Sequence, residues 1–280
     1  MVGQRLGINE LKNLANEIRK KILLMTYKVN SGHPGGSMSL VEVLLALYFY
    51  KLNYDPANPK WELRDRVIIS KGHATPVVYS VLAKAGFFPE EELEGFRQFG
   101  SKLQGHVYFE VPGVEFNTGS LGHGLAAGIG MALSSRYKGV DFNVYVILGD
   151  GELQEGSIWE SAMFASHHKI DNLCAILDYN KVQENGFVNE IVSIEPLKER
   201  WESFGWNYIE IDGHDFNQIF ESLDAFTGNK GSGKPTIIVA NTVKGKGVSF
   251  MEYKHTYHGK ALNKEELERA LKELNGVKNV

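Results

Sequence analysis

Four places in this 280-residue sequence combine residue types that hold anions, cations or protons. Gly149-Asp150-Gly151 ends one apolar run, and Asp178-Tyr179-Asn180 ends the next. Lys71-Gly72-His73 and Lys244-Gly245-Lys246-Gly247 each follow a further apolar run. Asp150 and Asn180 offer the oxygen ligands that a hard cation prefers. With Glu152 and Glu155 close behind, Asp150 would repel a phosphorylated ligand unless a divalent cation came between them. A diphosphate bound here would need Mg²⁺, or Ca²⁺ in its place, bridging it to Asp150. A bare Gly-Asp-Gly is also a common turn, so the weight lies in its position between an apolar strand and a helix.

The elements that must position these residues follow from periodicity. Leu11, Leu14, Ile18, Ile22 and Met25 recur at helical spacing, and the helix stops at Asn30-Ser31-Gly32-His33-Pro34-Gly35-Gly36, which reads as an irregular loop. An apolar helix is expected over residues 39–50, a buried strand at Val67-Ile68-Ile69-Ser70, and helices near residues 76–85 and 90–99. The stretch 100–118 is irregular and long enough to suggest a functional loop. Five glycines between 119 and 130 suit a backbone lying close to a neighbour or ligand. Strands over 144–148, 173–178, 208–211 and 236–240 alternate with helices over 154–168, 196–204 and 216–226, and an amphipathic helix covers 263–274. Continuous apolar strands separated by helices predict an α/β, doubly wound parallel sheet with helices on both faces, in one domain spanning residues 1–280. In such a sheet ligands gather at the carboxyl ends of the strands, where all four chemical features fall.

Composition excludes several classes. The net charge is −4, with 43% apolar and 23% charged residues; no basic run suggests nucleic acid or an anionic membrane surface. No apolar stretch approaches the roughly 20 residues that span a bilayer, and residues 1–16 are too polar for a secretory leader. Cys174, the only cysteine, sits in an apolar run and reads as a small buried hydrophobe. A soluble protein of the reducing cytoplasm is expected.

At this point the motifs become specific. Gly149-Asp150-Gly151-Glu152-Leu153-Gln154-Glu155-Gly156, then Trp159-Glu160, Ala165, Leu173 and Asp178-Tyr179-Asn180, resemble the thiamine-diphosphate fingerprint of transketolases. Ser31-Gly32-His33-Pro34-Gly35, Lys71-Gly72-His73, Gly105-His106, Thr118-Gly119-Ser120-Leu121-Gly122 and His258-Gly259 match the same family in the same order. The resemblance covers residues 10–270 and points to the amino-terminal, diphosphate-binding (PP-type) domain.

That resemblance implies roles residue by residue. Asp150, Asn180 and the Val182 carbonyl would hold the metal, and the Gly151 N–H would donate to the diphosphate of thiamine diphosphate. His73 and His258 would also reach the diphosphate, and the backbone of Gly119, Ser120 and Leu121 would border the aminopyrimidine and thiazolium. His33, His106 and His258 would contact a sugar substrate as the catalytic histidines, because imidazoles donate, accept and titrate near neutral pH. His123 stands where many full-length transketolases carry Gln, and no direct role is assigned to it or to His255. His167, His168 and His214 read as surface or structural residues, and Trp159, Trp201, Phe204 and Trp206 as packing.

In this family a glutamate on a separate pyrimidine-binding domain activates the cofactor, and the chain ends at Val280. Glu152, Glu155 and Glu160 belong to the diphosphate-side motif. The expectation is therefore a split transketolase of the pentose phosphate pathway, active only with a carboxy-terminal subunit that carries this glutamate. A heterotetramer of two copies of each subunit would act on sugar phosphates. The alternatives are a subunit of another thiamine enzyme (a 2-oxo acid dehydrogenase or a deoxyxylulose-phosphate-synthase relative) and a non-catalytic cofactor-binding subunit.

Overall fold

A computed structural model describes residues 3–276. The amphipathic spacing at the start builds α1 (Ile8–Lys28), followed by the short helices α2 (Pro34–Met38) and α3 (Val41–Ala46). Strand β1 (Arg66–Ile69) leads to α4 (Thr75–Lys84), and after a long irregular stretch α5 (Gly124–Lys138) leads to β2 (Val144–Gly149). Next come α6 (Gly156–His167), β3 (Leu173–Tyr179), the small strands β4 (Val182–Gln183) and β5 (Gly186–Phe187), α7 (Val188–Ile191) and α8 (Leu197–Ser203). The chain continues through β6 (Asn207–Asp212), α9 (Phe216–Gly228), β7 (Thr236–Asn241) and α10 (Lys264–Gly276).

Five strands form one parallel sheet in the order β1-β2-β3-β7-β6. Because strand side chains alternate faces, the sheet divides the interior in two. Ile69, Tyr145, Ile147, Ile176 and Ile238 face a core built with α1, α3, α4 and α9. Val146, Leu148, Leu173, Ala175 and Val239 face a second core built with α5, α6 and α8. The fold is the expected doubly wound α/β sheet. Cys174 is a buried free thiol, and burial pushes its pKa up. Trp159, Trp201, Trp206 and Phe204 pack together in the second core, with ring centroids 4.9–5.5 Å apart. Among the described residues no helix is long and apolar enough to cross a membrane.

Two local expectations are corrected. The stretch 39–50 is not one helix: α2 begins earlier, at Pro34, a residue pre-set for a helix's first turn, and α3 runs into a wider π-type turn at Leu47–Lys51. The helix expected at 90–99 is only a 3₁₀ turn, Glu90–Gly95; Gly95 and then Arg97, with φ +53°, prevent it from continuing. The glycines of 119–130 divide as well. A Cβ on Gly128 would lie 2.4 Å from Val146 Cγ2, so α5 presses directly on β2, whereas Gly130 faces open space.

Candidate functional site

The carboxyl ends of β1, β2, β3 and β7 surround a cleft of about 420 Å³. His33, His73, His106, His258, Gly119, Leu121, Asp150, Gly151, Asn180 and Val182 all line it, so nearly every residue singled out in the sequence meets in one place. Ser120 is exposed and does not line the cleft. His123, His167, His168 and His255 are also exposed and outside it.

Each histidine is placed by its own element. His33 caps the amino end of α2, and its carbonyl accepts the Ser37 hydroxyl at 2.7 Å. A Cβ on Gly35 would lie 2.7 Å from the Tyr257 carbonyl oxygen, so this glycine lets the 257–258 segment close on α2 and brings His258 within 5.4 Å of His33 between ring centroids. His106 is anchored through its backbone: Tyr79 Oη on α4 donates to its carbonyl at 3.1 Å. The His73 ring lies 5.0 Å from His33 and 5.1 Å from His258.

Burial, with Lys244, Lys71 and Arg97 nearby, depresses the basicity of the cluster. His33 is held at about 4, first by burial and then by His106 and Arg97. Burial and Lys244 hold His258 at about 3. His73 and His106 are lowered too, chiefly by burial. With their basicity lowered the four rings are neutral at pH 7, each with one N–H and one acceptor nitrogen, and that of His258, Nδ1, is taken by Lys244. The Nδ1 of His33 is buried and has no hydrogen-bond partner.

Opposite the histidines lies an oxygen-rich wall. Asp150 accepts the Gly151 N–H at 2.8 Å and the Lys181 N–H at 2.6 Å. Lys181 adopts φ +71°, a strained conformation for a side-chain-bearing residue, and it turns the chain between Asn180 and Val182. Burial and the neighbouring Asp178 push the Asp150 carboxyl up to about 6. Among the described residues no group of three or more His, Cys, Asp or Glu side chains is arranged to hold a metal. The candidate ligands are instead one carboxylate, one amide oxygen and one backbone carbonyl. These residues fit a divalent cation: the carboxylate lacks a positive partner, and the Val182 carbonyl already draws the Lys244 ammonium to 2.8 Å. The Gly151 N–H, expected to face a diphosphate, is turned to Asp150 here.

Residues 11–279 match the family model for the transketolase thiamine diphosphate binding domain. This chain belongs to the transketolase family. It is similar to the 6-deoxy-6-sulfo-D-fructose transketolase subunit of Clostridium sp. strain MSTE9, 43% identical over 266 residues that cover 95% of this chain and 96% of the relative. It is 40% identical over 270 residues to an apulose-4-phosphate transketolase subunit of Phocaeicola vulgatus, covering 95% and 94% of the two chains. The crystal structure of the Campylobacter jejuni transketolase superposes with a TM-score of 0.90 at 35% identity, across 96% of this chain and 43% of that one.

This transketolase-family cleft also contains two lysines that belong to the strand-end motifs 71–73 and 244–247 but have no individual role by sequence alone. Lys71 and Lys244 are buried lysines at the ends of β1 and β7. Lys71 pairs with Asp178 and donates to the Gly36 carbonyl at 3.0 Å. Lys244 reaches His258 Nδ1 at 2.9 Å as well as Val182, and burial together with Lys71 lowers it to about 8. Their place at strand ends was the available signal. Glu152, one of the acids expected to repel a phosphorylated ligand, has its carboxylate consumed within the fold. It accepts the Gly122 N–H at 2.8 Å, the Gly149 N–H at 3.0 Å and the Ser70 hydroxyl, and so clamps the 119–122 loop to β1 and β2.

Proposed function

We propose that this chain is the cofactor-anchoring, amino-terminal subunit of a two-subunit transketolase, acting as a single diphosphate-side domain. The observation that carries this reading is one cleft, in a transketolase-family fold, with four neutral histidines facing an oxygen wall. Asp150, Asn180 Oδ1 and the Val182 carbonyl hold Mg²⁺, or Ca²⁺ in its place, and His73 and His258 face the diphosphate. The Gly119–Leu121 backbone borders the rings. When bound, thiamine diphosphate supplies the electron sink that carbon–carbon cleavage of a ketose requires. His33, His106 and His258 orient the sugar's hydroxyl and carbonyl groups; His33 and His106, kept neutral by burial, offer a hydrogen-bond acceptor to a hydroxyl, while His258 Nδ1 already accepts from Lys244.

A carboxy-terminal subunit with the pyrimidine-binding domain and the activating glutamate completes the site, in a cytoplasmic heterotetramer with two copies of each chain. Two similar proteins carry the word subunit in their names, which supports the division of labour. The donor is a ketose phosphate and the acceptor an aldose phosphate. Xylulose 5-phosphate with ribose 5-phosphate heads the panel to assay, with sulfonated and branched sugars beside it because of those relatives. The test is ketol transfer by this chain mixed with its partner, thiamine diphosphate and Mg²⁺. Turnover that needs both chains supports the proposal, and full turnover by this chain alone overturns it. Substitution of His33 or His106 that left turnover unchanged would favour a non-catalytic scaffold.

A further inference from the structure

Lys244 is held over the Val182 carbonyl and His258 by contacts that begin well outside the cleft. Its neighbour Val243 donates its backbone N–H to His214 Nε2 at 2.9 Å. A backbone amide can only donate, so Nε2 is the unprotonated nitrogen of that ring and Nδ1 carries the proton. Nδ1 then donates to Glu42 Oε2, also at 2.9 Å. Glu42 lies on α3, nine-tenths or more buried, and meets Arg19 of α1 at 2.8 Å. Burial alone would raise the Glu42 carboxyl, but Arg19 and His214 hold it down at about 2, so it is ionised throughout the neutral range.

Arg19, Glu42, His214 and Val243 thus form one line of charge-assisted and neutral hydrogen bonds, from the first helix to the loop after β7. Gly213 makes the line possible. A Cβ there would lie 2.4 Å from Thr242 Cγ2, so only glycine lets the loop after β6 press on the end of β7. The neighbouring residues of the β7 loop are tied elsewhere: the Thr242 N–H to the Tyr179 carbonyl at 3.2 Å, and the Gly245 N–H to the Gly35 carbonyl at 3.0 Å. The Lys244 carbonyl accepts the Tyr253 N–H at 3.0 Å and the Val243 carbonyl the Lys246 N–H at 3.1 Å, so His214 is what fastens the Val243 amide on the other side.

We propose that His214 is a positioning residue of the cofactor cleft: by fixing the Val243 amide, it sets where Lys244 presents its ammonium to Val182, His258 and a bound diphosphate. This rests on the reading of the cleft as a diphosphate site. His214 does not line the cleft; it acts through the backbone that carries Lys244.

Two near-isosteres separate its two bonds. His214→Gln places an oxygen near the Nε2 position and keeps an acceptor for Val243. His214→Asn places its amide near Nδ1, keeps a donor for Glu42 and leaves Val243 unserved. In hydrogen–deuterium exchange of the unliganded chain, residues 241–247 should keep their protection in His214→Gln and lose it in His214→Asn. Calorimetric titration with pyrophosphate and Mg²⁺ should then show about tenfold weaker binding for His214→Asn, the scale of an outer-shell loss, and binding within about threefold of the parent for His214→Gln. A melting curve of each variant establishes that it is folded. Parent-like protection in His214→Asn overturns the strut, and lost protection with unchanged pyrophosphate affinity overturns the positioning role. Weakening by both variants in step with their melting temperatures reduces His214 to a structural residue and overturns it too. A parent chain that fails to bind pyrophosphate with Mg²⁺ refutes the diphosphate reading, and this assignment with it, before any variant is compared.

Discussion

Two buried aspartates stand at the ends of adjoining strands, and their surroundings differ sharply. Asp178, on β3, is wholly buried and saturated: it receives Lys71, the Ser39 hydroxyl at 2.7 Å, the Asn180 amide at 3.0 Å and the Thr242 hydroxyl. Burial alone would raise its pKa, but Lys71 and these donors bring it below the ordinary range. Asp150, just beyond β2, has two backbone amides and no cation in direct contact, and burial leaves it at about 6. The same residue type, one strand apart, therefore does two jobs. Asp178 ties α2, β1, β3 and β7 together, whereas Asp150 has no cation in direct contact, the property that its proposed role as a metal ligand requires.

The comparison can be broken from either side. The largest effect is expected from Asp178→Ala, which leaves Lys71 buried without its counter-charge. Chemical denaturation should show a loss of about 3–5 kcal/mol, and an unchanged midpoint would place Asp178 outside the framework. Asp150→Asn should instead spare the fold and weaken thiamine diphosphate binding in Mg²⁺ on the order of 100-fold by calorimetry. The raised folded pKa also fixes a sign. The parent's contribution from Asp150 is fully present below the ordinary value of 3.8 and is lost as pH rises through about 6. The unliganded Asp150→Asn chain should therefore gain on the parent across that interval, and a flat difference would contradict the cation-starved carboxylate.

The imidazoles belong to the same unsaturated side. His258 is held at about 3, below its ordinary 6.5, so the stability it confers is complete above 6.5 and is lost as pH falls toward 3. His258→Asn should show a shallower acid decline in melting temperature than the parent; equal slopes would mean that the ring charges freely in place. The smallest effect is expected from Ser39→Ala, which removes one of Asp178's several donors and should cost about 1 kcal/mol. A much larger loss would show that the saturated network has no redundancy.

Much of this was legible in the chain. The five sheet strands were readable as short runs, apolar in β1, β2, β3 and β7 and mixed in β6, with Gly, Asp or Asn at the end of all but β1, and the rule that ligands gather at carboxyl ends then placed Asp150, Asn180 and His73 together. What escaped depended on contacts between residues far apart in sequence. Lys71 and Asp178 are 107 residues apart, and a buried lysine is too uncommon to expect before its partner is seen. His214 reads as a surface or structural residue because nothing near it in sequence announces Glu42, 172 residues away. The start of α2 was hidden for a local reason, since Pro34-Gly35-Gly36 has the composition of a loop and is helical only where the Tyr257 carbonyl and the Lys71 ammonium pack against it.

The Lys244 ammonium on the Val182 carbonyl has a consequence for how such a cleft would load. A metal ion that took this carbonyl would have to evict a resident cation, so loading would be a relay in which one positive charge hands its seat to another. The evicted ammonium, tethered a few bonds away, would be released toward the very anion the metal had come to bridge.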